Sequence, residues 1–191
     1  MRKTRVLERE EIKVFRDQLN GDLCKDFLKE LQSSEYVKHM WSDGGEQTGS
    51  TDTDFDMTYH VMKKHDELMG ILYYTIKDYI TELDMDWFTG WNGYSQPRYN
   101  RYTKNTKMNM HCDHIHTLFT TDENPEPKGI PILSIVGLLN DDFTGGEFII
   151  GEKKIHLTSG DVVVFPSNFM FPHKVNTIDN GERYSFVSWV W

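Results

Sequence analysis

The sequence predicts an α+β, mainly β fold, with helices in its first half and an antiparallel jelly roll in its second. Three observations carry this: the hydrophobic period changes near the middle of the chain, turn signals cut the second half into short segments, and 191 residues suit one domain. Apolar residues Ile12, Phe15, Leu19, Leu23, Phe27 and Leu31 recur every three or four positions, and Asn20-Gly21-Asp22 offers a break with a fresh N-cap. Two short helices are therefore expected between Arg9 and Leu31. Residues Ser42 to Asp54 carry almost nothing apolar and read as a loop. Tyr59, Met62, Leu68, Ile71, Leu72, Ile76 and Ile80 then form a helical stripe, which predicts one long helix from about Phe55 to Leu83.

Beyond Trp91 the spacing predicts eight strands: Arg98–Thr103, Lys107–His114, Pro131–Leu139, Glu147–Ile150, Lys154–Leu157, Asp161–Phe165, Phe171–Asn176 and Arg183–Trp189. Gly145-Gly146, Gly151-Glu152, Ser159-Gly160 and Asn180-Gly181 supply the turns, the last being a strong hairpin signal. Residues Thr117–Gly129 hold two prolines and no period, so an exposed loop is expected there. Residues 1–191 read as a single domain, with a mainly helical region at 1–90 and the jelly roll at 91–191.

Composition narrows the function. The apolar run Ile130–Leu139 is too short, and too interrupted by Pro131 and Ser134, to cross a membrane. The first 15 residues hold no hydrophobic core of a secretory signal, so a cytoplasmic protein is the expectation. Two cysteines, Cys24 and Cys112, fit a reducing compartment; Cys112 is expected to be buried and turned away from its neighbours His111 and Asp113. A net charge of −9 disfavours nucleic acid as a partner. Composition leaves the oligomeric state open.

The chemistry begins at His111-Cys112-Asp113. On a strand, side chains two apart share a face, so one imidazole and one carboxylate converge. His173 is the best-placed third ligand, and two histidines with one carboxylate form the triad that holds non-haem Fe(II) with positions left open. His114 and His116 compete as ligands but are disfavoured by strand parity. His39, His60, His65 and His156 read as ordinary surface or helix residues.

From Arg101 to Trp191 the chain resembles the catalytic core of prolyl 4-hydroxylase-type 2-oxoglutarate and Fe(II)-dependent oxygenases. The resemblance rests on an ordered series: Tyr102, His111-Cys112-Asp113, Leu138-Leu139-Asn140, Gly145-Gly146-Glu147-Phe148, Gly160-Asp161-Val162-Val163-Val164-Phe165, Phe171-Pro172-His173-Lys174-Val175, Gly181-Glu182-Arg183-Tyr184-Ser185-Phe186 and Trp189. It implies a double-stranded β-helix with N-terminal support helices. By the same resemblance His111, Asp113 and His173 bind iron, and Arg183 grips the far carboxylate of 2-oxoglutarate with help from Tyr102 and, more loosely, Ser134. Trp189 matches a tryptophan near the iron and cosubstrate. Met108 stands where many relatives carry a tyrosine. The Asn180-Gly181 turn is expected to put Arg183 on the strand paired with that of His173.

The implied activity is hydroxylation of a C–H bond with Fe(II), 2-oxoglutarate and O₂, ascorbate being an admissible reductant, and succinate and CO₂ as coproducts. A prolyl residue in a peptide or protein is the expected substrate, with Trp91 and Tyr94 as surfaces on which a proline ring could stack. The alternatives are a free amino acid or small metabolite as substrate, and a cupin-like metal-binding module with no catalysis, which would need no carboxylate clamp.

Overall fold

A computed structural model describes residues 11–43, 46–85, 87–88, 90–113, 119–121 and 124–191. In chain order the elements are β1 (Lys13–Phe15), α1 (Gly21–Gln32), β2 (Val37–Lys38), β3 (Trp41–Asp43), β4 (Glu46–Gly49), β5 (Asp56–Thr58), α2 (His65–Leu83), β6 (Arg98–Tyr102) and β7 (Met108–His111). They continue with β8 (Phe119–Thr121), β9 (Asn124–Gly129), β10 (Leu133–Leu138), β11 (Thr144–Gly145), β12 (Phe148–Ile150), β13 (Lys153–Ile155), β14 (Val162–Pro166), β15 (His173–Val175), β16 (Ile178–Asn180) and β17 (Arg183–Val190). Two antiparallel sheets make the jelly roll, a seven-stranded one in the order β1-β14-β10-β17-β6-β5-β2 and a four-stranded one in the order β13-β12-β15-β7.

Strand parity explains how one sheet serves two layers. Along β17, Tyr184, Phe186 and Val190 enter a core shared with the helices, whereas Val187 and Trp189 enter a second core between the sheets. The same alternation separates Ile135 from Val136 on β10 and Val164 from Val163 on β14. With both faces covered, β17 is buried along its whole length. Full burial of each such aliphatic or aromatic side chain stabilises the fold by about 1.5–3 kcal/mol.

The helices close the outer face. Helix α1 starts where Asn20 accepts hydrogen bonds from the Asp22 and Leu23 amides at 3.1 and 2.9 Å, a cap that contributes about 1 kcal/mol. Leu23, Phe27 and Leu31, one turn apart, then join Leu68, Leu72, Ile76 and Tyr79 of α2 against Tyr99 and Phe186 of the sheet. Among the described residues no helix is long and apolar enough to cross a membrane.

The structure differs from expectation in four places. The first of the two expected short helices is instead β1, antiparallel to β14. Its true signal is the alternation of Ile12 and Val14, which pack into the inter-sheet core, with Phe15, which packs under the helices. The long helix starts at His65, because Phe55 and Met57 alternate into the inter-sheet core on a strand paired with β2 and β6. The described part of residues 11–90 is therefore less helical than expected. The expected loop Ser42–Asp54 contains most of the β3–β4 ribbon, and Thr117–Gly129 contains the β8–β9 ribbon. Ribbons of strands three to six residues long, tied by backbone hydrogen bonds, are too short to leave a hydrophobic period to read.

Candidate metal centre

The site lies between the sheets. Residue His111 ends β7 and pairs in register with His173 at the start of β15, so the two imidazoles stand side by side with ring centroids 4.3 Å apart. The Asp113 carboxylate, two residues on, sits between them: Oδ1 is 3.5 Å from His111 Nε2 and Oδ2 is 3.6 Å from His173 Nε2. One donor atom from each of the three lies within 4.8 Å of the others.

The surrounding hydrogen bonds orient all three. His111 Nδ1 donates to the Asn109 carbonyl at 2.9 Å and His173 Nδ1 to the Phe171 carbonyl at 3.2 Å. A carbonyl only accepts, so both rings carry their proton on Nδ1 and present the Nε2 lone pair inward. Ser134 on β10 donates to Asp113 Oδ2 at 2.6 Å and meets the Ser167 hydroxyl at 2.8 Å. Burial pushes the Asp113 carboxyl up, but the adjoining His111 and His173 imidazoles and the Ser134 hydroxyl outweigh it and hold the group well below the usual carboxylate range. Burial lowers His173 to about 4, against the opposing pull of Asp113. At neutral pH the centre therefore offers a carboxylate and a neutral imidazole from His173. Two inward nitrogens and an oriented carboxylate fit a divalent ion of the Fe(II) or Mn(II) type, with coordination positions left over.

Arg183 is 2% exposed and points into the same cavity. It is not on a strand paired with that of His173, as expected, but on the facing sheet. The reason is that β16 pairs with β11 instead of continuing a hairpin, and the chain then turns at Gly181, φ +81°, to cross between sheets. Arg183 is the register partner of Tyr102 on β6, and its guanidinium lies 5.2 Å from the Tyr102 ring centroid. It donates to Ser185 Oγ at 2.7 Å and has no carboxylate partner among the described residues. Burial pushes the guanidinium down, and Tyr102 opposes this. Burial also pushes the Tyr102 phenol up to about 12, with Arg183 opposing, so it stays a protonated donor. In this structure it donates to Met108 Sδ at 3.9 Å.

The remaining candidates are less uniform. Ser134 is turned to Asp113 and does not line the cavity that holds Arg183. Trp189 lies beneath the guanidinium of Arg98, 5.2 Å from ring to Cζ. Trp91 and Tyr94 pack on the helix side of the seven-stranded sheet, where Tyr94 donates to the Met69 carbonyl at 2.9 Å, so no proline ring in the cavity reaches them. Cys112 is half-buried, and His114 and His116 lie outside the described residues.

Two wall residues were missed. Trp41 stands edge-on to His111 at 5.4 Å, held by its indole N–H on the buried Asp54 carboxylate at 2.8 Å. Arg98 lines the cavity from β6, and its even spacing from Tyr102 was the signal that could have found it. His39, expected at the surface, is stacked on Phe55 at 4.6 Å and edge-on to Trp41 at 4.7 Å, with a buried Nδ1 that has no hydrogen-bond partner among the described residues.

Burial, with smaller contributions from Arg98 and His111, lowers His39 to about 4. The unfolded residue titrates near 6.5, so unfolding takes up a proton between those values and stability falls as pH drops from about 6.5 to 4. After allowance for its partial exposure, His39 should contribute about 1–2 kcal/mol to this loss. Urea unfolding at pH 7 and pH 4.5 should show a smaller drop for His39→Phe than for the parent; equal drops would remove His39 as a cause.

Residues 97–191 match the family model described as the 2OG-Fe(II) oxygenase superfamily. A PKHD-type hydroxylase of Psychrobacter sp. (strain PRwf-1) is 33% identical over 102 residues, 49% of this chain and 37% of that protein. One from Xylella fastidiosa (strain M12) is 32% identical over 101 residues, 49% of this chain and 43% of that protein. The chain thus spans less than half the length of the curated relatives it matches. Among solved structures, a prolyl-4-hydroxylase of Pseudomonas putida superposes with a TM-score of 0.67 at 15% identity, covering 94% of this chain and 91% of that one. A Trichoplax adhaerens prolyl hydroxylase in complex with a hypoxia inducible factor peptide fragment gives 0.68 at 14% identity, with 95% and 83% covered.

Proposed function

Residues 97–191 belong to the 2OG-Fe(II) oxygenase superfamily, and from that premise we propose that the chain is a 2-oxoglutarate- and Fe(II)-dependent hydroxylase of the prolyl 4-hydroxylase type, acting on a prolyl residue in a peptide or protein. The observation that supports this best is one cavity lined by both an inward-facing His-Asp-His set and a buried guanidinium without a described counter-charge. A buried cation left unpaired is costly unless an anion arrives to complete it. A metal-holding module with no dicarboxylate to bind gives no reason for Arg183 to be there.

In this reading His111 Nε2, Asp113 and His173 Nε2 hold Fe(II), which with 2-oxoglutarate and O₂ supplies the oxidising chemistry, giving succinate and CO₂ as coproducts. Arg183 takes the far carboxylate of the cosubstrate through paired charge-assisted hydrogen bonds, and the Tyr102 phenol turns from Met108 to add a third. Ser134 acts on the metal side by fixing the Asp113 carboxylate, and Trp189 packs into the inter-sheet core beneath the Arg98 guanidinium. Trp41, locked by Asp54, closes one flank of His111 against water. The two helices brace the sheet that carries Tyr102 and Arg183, so the clamp and the metal set keep their separation. The β8–β9 ribbon, which follows the strand of His111, serves as the peptide-side wall.

The decisive experiment follows 2-oxoglutarate consumption by the Fe(II)-loaded protein with a panel of proline-containing peptides, and checks product mass for one added oxygen. Peptide-dependent turnover with oxygen on the proline ring is expected. Turnover only with free amino acids would move the substrate to a small metabolite, and no turnover of 2-oxoglutarate would retire the enzyme. Ser134→Ala should lower Mn(II) affinity by about 10–100-fold, the usual effect of losing a ligand's outer partner, while leaving 2-oxoglutarate binding to saturated metal largely intact. The opposite pattern would restore Ser134 to the cosubstrate.

A further inference from the structure

The cavity holds a second cation that the reaction as described does not need. Arg98 lies four residues before Tyr102 on β6, hence on the same cavity-facing side, about 13 Å away along the strand. Its register partner is Val187 and that of Tyr102 is Arg183, which places the two arginines at different levels of the sheet. Arg183 is 2% exposed, whereas Arg98 is only part-buried and open to a molecule arriving from solvent.

Arg98 is also held in place. Its guanidinium carbon lies 5.7 Å from the Phe55 ring centroid and 5.2 Å from that of Trp189, and Nε donates to Asn100 Oδ1 at 3.1 Å. This leaves the fork of terminal N–H groups without a hydrogen-bond partner, and without a carboxylate, among the described residues. A guanidinium held against two aromatic rings with its fork unfilled is a preorganised carboxylate receptor.

Charge balance indicates whose carboxylate it is. Asp113 and Arg183 are the other charged residues that line the cavity. With a divalent ion on Asp113 and a dicarboxylate on Arg183, positive and negative charges cancel before Arg98 is counted. Arg98 then leaves a single positive charge at the more exposed level of the cavity, which a monoanionic carboxylate neutralises and a dianionic phosphate overshoots. Resting on the hydroxylase reading above, we propose that Arg98 is the specificity-determining residue that receives a substrate carboxylate, so the target residue of the peptide lies next to an acidic side chain or a free C-terminus.

The test uses the Mn(II)- and 2-oxoglutarate-loaded protein, which binds without turnover, and calorimetric titration. The probes are acetylated, amidated Gly-Glu-Pro-Glu-Gly and Gly-Gln-Pro-Gln-Gly, together with acetyl-Gly-Gly-Pro as free acid and as amide. The carboxylate member of at least one pair should bind about 10-fold or more tightly than its neutral partner, the gain of one charge-assisted hydrogen bond. Arg98→Met should erase that preference with 2-oxoglutarate affinity retained, and Arg98→Lys, which keeps the charge and loses the fork, should keep part of it. Which pair responds separates a side-chain carboxylate from a terminal one. Equal binding within both pairs, no binding of any probe, or a preference that survives in Arg98→Met overturns the proposal. A loss of 2-oxoglutarate affinity in Arg98→Met assigns the residue to the cosubstrate instead. Failure of the parent protein to bind 2-oxoglutarate at all would defeat the hydroxylase reading itself.

Discussion

His173→Ala is expected to lower Mn(II) affinity by well over 100-fold, since loss of an outer-shell partner alone costs about 10–100-fold and a ligand counts for more. The residue is 3% exposed, lies against Phe165 and Phe148, and directs Nε2 at Asp113. No other histidine among the described residues stands close enough to the His111 and Asp113 pair to replace it. Thermal unfolding gives a second readout. Metal at about 100 times its dissociation constant adds about 2.7 kcal/mol, or about 5–10 °C in Tm for a domain of this size. The parent should show that shift, and His173→Ala and the bulkier His173→Gln should not. A metal-induced shift of parental size in both variants would mean that the ion is held elsewhere.

What could be read in advance follows from where the signal lay. Strands β6, β7, β10, β12, β13, β14, β15 and β17 all fall within a few residues of the spans expected for them, because most carry alternating or continuous apolar residues near Gly, Pro or Asn, and β13 follows the turn at Gly151. Helix α1 was legible through Asn20 and the Leu23-Phe27-Leu31 stripe. Strand β1 was not, because Ile12 and Phe15 fit a helical period as well as a strand whose two faces enter different cores. The pairing of Arg183 with Tyr102 instead of with the strand of His173 was hidden for another reason: an Asn-Gly turn specifies local geometry and cannot say which sheet the next strand joins. His39 and Trp41 were missed because they flank a polar stretch, and their role depends on Phe55, Asp54 and His111 meeting only in the folded chain.

Arg183→Ala tests the other end of the cavity. Taking away one partner of a buried charge pair typically costs about 3–5 kcal/mol, which corresponds to a rise of more than about 100-fold in the dissociation constant of 2-oxoglutarate. The guanidinium is positioned for this by its stack on Tyr102 and its bond to Ser185 at 2.7 Å. Neither contact touches the three donors near Asp113, so Mn(II) affinity should stay within a few-fold of the parent. Arg183→Lys should recover only part of the loss, because an ammonium lacks the planar fork that fits a carboxylate. Tyr102→Phe should cost less than Arg183→Ala, on the order of 1–3 kcal/mol, as expected for one hydrogen bond to a charged group. The two substitutions should also be non-additive, since Tyr102 and Arg183 face each other in register across β6 and β17. Cosubstrate affinity unchanged in Arg183→Ala, with metal still bound, would leave a metal-holding jelly roll whose buried arginine serves some other anion.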